Sequence, residues 1–158
     1  MAQQEIRDPI HGFVRFSKPE LRVIQSPDFQ RLRFISQLAL TQFLYPSACH
    51  TRFEHCLGVC ELASRIFDTV FHKDHFSGEL ADRLGVEPDP NCGPLAQGRS
   101  ELRLAALLHD VGHLPFSHAA EHFLLPKGQN HETMTGQLLL QGGLRSLLSD
   151  INVNPERV

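Results

Sequence analysis

The 158-residue sequence contains no apolar run approaching the roughly 18 to 20 residues that a membrane span requires, because charged residues interrupt every such stretch. Its first residues, MAQQEIRDP, lack the apolar core of a secretory signal and carry acidic groups early. The expectation is a soluble, cytoplasmic protein with no membrane partner. There is no CxxC pair among Cys49, Cys56, Cys60 and Cys92, and Cys56 and Cys60 stand four apart in a helical pattern. They read as small buried hydrophobes rather than disulfide or metal groups. No basic excess exists either: the formal charge is -3, so no global field attracts nucleic acid, and only local basic patches leave such a partner open. Internal repeats and a βαβ rhythm are also missing, which removes solenoid, Rossmann and barrel architectures.

What is abundant is histidine. Five of ten, His109, His113, His118, His122 and His131, fall within a 23-residue stretch. Packing alone accounts poorly for that density, since each imidazole needs polar partners when buried. The length suits about one domain.

Periodicity places the elements. FVRF alternates between turn residues and reads as a short strand or extended arm, followed by a brief helix near 19 to 24. From Pro27 the apolar residues Phe29, Leu32, Ile35 and Leu38 recur every three positions, predicting an amphipathic helix over 27–38. Thr51 and Glu54 have capping-box spacing and open a helix over 51–71. Residues 72–99 mix a short helical signal around 80–84 with Pro, Gly and Asn, and read as an insertion or lid. Ser100 then caps an apolar helix ending at His109 and Asp110; shorter helices follow over 117–125, 131–140 and 144–149.

A divalent cation needs imidazole nitrogens or carboxylate oxygens. His109 and Asp110 are an adjacent pair at a buried helix end, and His55 is the best third donor, from the other long apolar helix. A hydrogen-bonded His–Asp pair with no metal is the plain alternative. Arg52, three residues before His55, falls near the same helical face, where it either clamps a phosphate or pairs with Glu54 or another carboxylate. Glu121, one turn after His118, could orient that ring or simply be a surface residue. His113, His118 and His131 each read as either catalytic or helix-capping and solvated. His11, His50, His72, His75 and His122 default to structural or solvent-facing roles.

Five segments in order, DPIHG (8–12), FQRLRFISQL (29–38), TRFEHCLGV (51–59), LLHDVGHLPFSH (107–118) and NHET (130–133), resemble the HD-domain phosphohydrolase superfamily, in particular its deoxynucleoside triphosphate triphosphohydrolase branch. The resemblance implies an all-α, HD-domain helical core with a short N-terminal extended arm, truncated before the final family helices. Residues 1–26 would be the arm and an interface segment, and 27–158 a partial HD domain. It further implies that His55, His109 and Asp110 are metal ligands for Mn, Fe, Ni, Zn, Co or Mg. His113 and His131 fall in the family's active site, with His131 near the leaving group and an acidic residue often found at the position of Glu121. His118 and Arg52 would contact phosphates, and Gln37 would approach the sugar 3′-hydroxyl. The implied reaction is hydrolysis of a nucleotide, a dNTP giving deoxynucleoside and triphosphate, by a homo-oligomer.

Two departures follow. The family's fourth ligand is an aspartate on a helix well beyond the HE motif, and after His131 the nearest candidate is Asp150, which reads instead as a helix terminus. The position expected to be acidic before the Ser-Pro turn holds Gln25, a departure from the segment that resembles the family's guanine-specific regulatory site. The missing aspartate motivates a second reading, a noncatalytic nucleotide-binding or regulatory HD module or an inactive fragment.

Overall fold

The computed structural model describes residues 4–72, 82–83, 85 and 93–158. It opens with an antiparallel hairpin of β1 (Gln4–Asp8) and β2 (Gly12–Phe16), in register with Gln4 opposite Phe16 and Asp8 opposite Gly12. Asp8 builds the turn: its Oδ1 accepts from the backbone N–H groups of Ile10 (2.9 Å) and His11 (2.7 Å). Gly12 closes it at φ 79°, a left-handed conformation that costs a residue without Cβ little. Alternation along β2 then buries Val14 and Phe16 and leaves Phe13 and Arg15 outside. FVRF is therefore a strand, and its partner QEIRD is too polar to show the pattern by itself.

Ser17 caps α1 (Lys18–Ile24) in a capping box with Glu20, and Ser26 caps α2 (Pro27–Gln30). The helix predicted over 27–38 ends early. A 3₁₀ turn covers Arg31–Phe34, and Ile35 is extended at φ -112°, ψ 107°. The backbone finds better partners there: Arg52 N donates to Ile35 O (2.9 Å), Gln37 N donates to His50 O (3.1 Å), and Ser36 bridges Thr51. Tertiary pairing overrides the three-residue period, while Phe29 and Leu32 stay buried as that period requires. A second 3₁₀ segment, Ala39–Phe43, leads towards α3 (Arg52–Val70).

The Thr51–Glu54 box fixes the start of α3, with Thr51 N donating to Glu54 Oε2 at 2.7 Å. Phe53, Cys56, Leu57, Cys60 and Ser64 form its buried face. That face packs along α4 (Gly93–Leu108). This helix begins seven residues before Ser100, so 93–99 belong to a core helix and not to an insertion; Pro94 is tolerated because a first-turn N–H has no intrahelical acceptor. Arg99 ties this extra turn to α3 through Asp68 at 2.7 and 2.8 Å. The rest of the proposed lid, including the helix near 80–84, lies almost wholly outside the described residues.

Three helices complete the chain: α5 (Ser117–Leu124), α6 (His131–Gln141) and α7 (Gly143–Asp150). Asn130 caps α6, accepting from Thr133 N at 2.9 Å. One core collects Phe16, Phe29, Leu32, Cys56, Leu104, Leu107 and Leu144, each large side chain contributing about 1.5–3 kcal/mol. Buried Arg103 pairs with Glu20, donates to Ser64 Oγ and reaches Arg15 O at 2.8 Å, so one cation fastens the hairpin and α1 to α3 and α4. Among the described residues no helix is long and apolar enough to cross a membrane.

Candidate metal centre

His55 stands in the first turn of α3, and His109 and Asp110 in the turn that follows α4, so the α3–α4 packing brings the three together. His55 Nε2 lies 3.3 Å from His109 Nε2 and 3.6 Å from Asp110 Oδ2, and His109 Nε2 lies 3.5 Å from Asp110 Oδ1. Donors bonded to one tetrahedral cation at about 2.0–2.1 Å are about 3.3 Å apart, so these edges fit a divalent metal. His109 Nδ1 donates to Ala106 O at 2.8 Å, which leaves the Nε2 lone pair facing the other donors. Burial lowers the pKa of His55 and keeps it neutral, as a ligand must be. Burial acts to raise that of Asp110, but the hydrogen bond from His113 and the neighbouring His109 and Arg52 outweigh it and hold the carboxyl well below its usual range. Asp150 is not drawn in: it ends α7 at the surface, 3.3 Å from Arg22 Nη2.

A second cluster adjoins the first. Glu121 Oε1, on α5, lies 2.9 Å from His131 Nδ1, 3.2 Å from His118 Nδ1 and 3.7 Å from His113 Nδ1. The His113 and His131 rings are stacked, 3.9 Å between centroids and 11° from parallel. His113 is fully buried and its Nε2 sits 3.4 Å from Asp110 Oδ1, so Asp110 touches both clusters. Burial lowers the pKa of His113 despite that carboxylate. For Glu121 burial pushes upward, but the hydrogen bond from His131 and the charges of the surrounding histidines prevail and its pKa is lowered.

The remaining predicted residues fall as follows. Arg52 is buried, with one Nη on Asp110 and the other on Ser117 Oγ, while its Nε has no partner. The carboxylate it meets is Asp110 and not Glu54. Gln37 lies beside His50, and its Oε1 is buried without a hydrogen-bond partner. His122 is exposed. Arg31 donates to Val111 O and, at 2.6 Å, to His113 O, bracing the turn that carries Asp110. Arg33 lies over the Phe53 ring at 3.6 Å.

Several positioning residues escaped the sequence reading. A Cβ at Gly112 would stand 2.3 Å from both His131 O and Thr135 N, so the close approach of α6 requires glycine there. Gly112 N donates to Thr135 Oγ1 (2.9 Å), which in turn donates to His109 O (3.2 Å). Phe116 and Ser117 have φ of 69° and 53°, a strained entry to α5 that sets Ser117 against Arg52. His11 and His50, set aside in the sequence, line with His55 a cavity of about 460 Å³ whose wall includes Ile10, Val59 and Leu62. Of these signals only the glycine in HDVGH was visible in the sequence.

A family model for the HD domain matches residues 52–151. Among curated proteins, a deoxynucleoside triphosphate triphosphohydrolase SAMHD1 of Bos taurus is 34% identical over 160 residues, which cover 96% of this chain and 25% of that protein. The uncharacterized protein MJ1154 of Methanocaldococcus jannaschii is 40% identical over 116 residues, 73% of this chain and 20% of its own length. A crystal structure of a hypothetical protein from Aquifex aeolicus superposes with a TM-score of 0.73 at 35% identity, covering 99% of this chain and 35% of that one. The chain thus spans about a quarter or less of the length of these curated relatives.

Proposed function

The chain belongs to the HD domain family, and from that premise we propose that it acts as a metal-dependent phosphohydrolase cleaving a deoxynucleoside triphosphate to deoxynucleoside and triphosphate. The observation that carries the reading is Asp110: one carboxylate lies in the His55–His109 triad and within 3.4 Å of His113, which stacks on His131. Metal donors and proton-handling rings are thereby one side chain apart. When bound by His55, His109 and Asp110, the divalent cation supplies Lewis-acid polarisation of a phosphoryl oxygen.

In this reading a water oxygen attacks the α-phosphorus and gives up one proton to solvent, the bond from phosphorus to O5′ breaks, and O5′ takes up a proton from His131. His131 is the donor: its Nδ1 is anchored on Glu121, which leaves Nε2 to hold the proton. His118, two-thirds exposed at the rim, meets the phosphates, and Arg52 balances charge on Asp110 and on the incoming anion. The unpartnered Gln37 Oε1 suits a donor such as a deoxyribose 3′-hydroxyl. Exposed Ile10, Phe13, Phe34 and Phe43 support self-association as a homo-oligomer.

The test is product analysis by anion exchange and phosphorus NMR, with Mn, Fe, Co, Ni, Zn and Mg supplied in turn. Intact triphosphate supports the proposal. Inorganic phosphate as the first product contradicts it, and nucleotide binding without turnover under every metal supports a noncatalytic module instead.

A further inference from the structure

We propose that Arg31 is a positioning residue for the metal centre, setting the distance between His55 and the His109–Asp110 pair. This rests on reading the triad as a cation site, as the proposed function does. The two Nη atoms of Arg31 donate to Val111 O and, at 2.6 Å, to His113 O, two carbonyls of the turn that carries Asp110. Val111 and His113 are fully buried, so both acceptors lie in the interior and lose free energy if the guanidinium leaves. Burial also lowers the pKa of Arg31 against the pull of Asp28, as befits a guanidinium turned away from water.

The segment that carries Arg31 holds the other half of the triad as well. Phe29 and Leu32, both fully buried, anchor it in the core. At its far end Ile35 O accepts from Arg52 N (2.9 Å), the first residue of α3, and His55 lies in that same first turn. Residues 31–35 are therefore a strap, with one end on the helix of His55 and the other on the turn of His109 and Asp110. Thr135 grips the opposite side of that turn, accepting from Gly112 N and donating to His109 O. A planar guanidinium fork spans two carbonyls at once, whereas a lysine ammonium is a single point of charge and cannot. Without the fork the turn can swing relative to α3 and spread the 3.3 Å gap between His55 Nε2 and His109 Nε2.

The experiment is Co(II) titration of the full chain without nucleotide, read by equilibrium dialysis and by the visible bands of the bound ion, with circular dichroism as the check of fold. Arg31→Lys is expected to bind Co(II) roughly 10–100-fold more weakly than wild type, the usual effect of losing a residue that orients metal ligands, and to show altered bands. Arg31→Ala should show the same loss, and methylguanidinium in the medium should restore affinity to this variant without changing the wild type. Arg31→Lys keeps the charge and most of the side-chain length, so it carries the test where Arg31→Ala fails to fold. A lower Tm with unchanged affinity and bands in Arg31→Lys, or a folded Arg31→Ala that methylguanidinium leaves unrescued, overturns the proposal. A wild type that binds cobalt but releases no triphosphate from a nucleotide sinks the phosphohydrolase reading alone and leaves the role of Arg31 standing.

Discussion

The imidazole of His113 lies parallel to that of His131, 3.9 Å away, and this contact joins the turn after α4 to the first residue of α6. One ring faces Asp110 and the other Glu121, so the stack sets the distance between the two clusters. Its register depends on how closely α6 can approach residue 112.

Replacing Gly112 with Ala is expected to break that approach. The added Cβ would stand 2.3 Å from backbone atoms of both His131 and Thr135, and backbone cannot yield as a flexible side chain can. Overpacking of this kind costs roughly 1–3 kcal/mol. Denaturant unfolding should show a loss of that order, and turnover should fall because His131 is displaced. Wild-type stability would mean that α6 does not sit on this turn.

The two clusters should separate under substitution. His109→Ala removes one of three donors and should abolish tight metal binding at the first centre together with activity. His131→Ala leaves the triad whole and should lower kcat by roughly 10²–10⁴-fold, the usual contribution of a positioned acid. Metal content at the first centre and single-turnover rates check both. If His131→Ala also empties the triad, the division of labour is wrong.

Periodicity made α3 legible because its cap, Thr51 with Glu54, and its buried face are local features of sequence. The same rule overextended the helix from Pro27, since the pairing of Ile35 and Gln37 with 50–52 is a contact between segments that no local pattern encodes. The site divides similarly. His55, His109 and Asp110 announce themselves by residue type and order, and the structure brings them together. Thr135, Ser117 and Arg31 carry no chemical label and matter only through the carbonyls and guanidinium they hold in place. His11 and His50 carry no local signal, and it is the hairpin turn and the Ser36–Thr51 bridge that place them with His55 on one cavity across the fold.

Cys60 provides a pH-dependent test of the core. Burial pushes its thiol up to about 12 from an ordinary 9.0, so the folded state favours the protonated form. The resulting stabilisation is complete below pH 9.0 and is lost as pH rises towards 12. Site-resolved alkylation near neutral pH should label exposed Cys49 and spare Cys60 until denaturant is added. Labelling of Cys60 at the rate of Cys49 in the native protein would contradict its burial.

Ala39 offers a gain in stability. It opens the second 3₁₀ segment at φ 48°, a left-handed conformation that costs an L-residue with a Cβ roughly 1–2 kcal/mol. Glycine removes that penalty and gives back roughly 0.5–1 kcal/mol through the greater freedom of the unfolded chain. Ala39→Gly should therefore stabilise by up to about 1 kcal/mol, a rise in Tm of about 2–4 °C for a domain of this size. Ala39→Val should do the opposite, because a β-branched side chain tolerates the left-handed region least. Thermal unfolding of the two variants reads both signs at once, and a lower Tm for Ala39→Gly would show that residue 39 does not hold this conformation in solution.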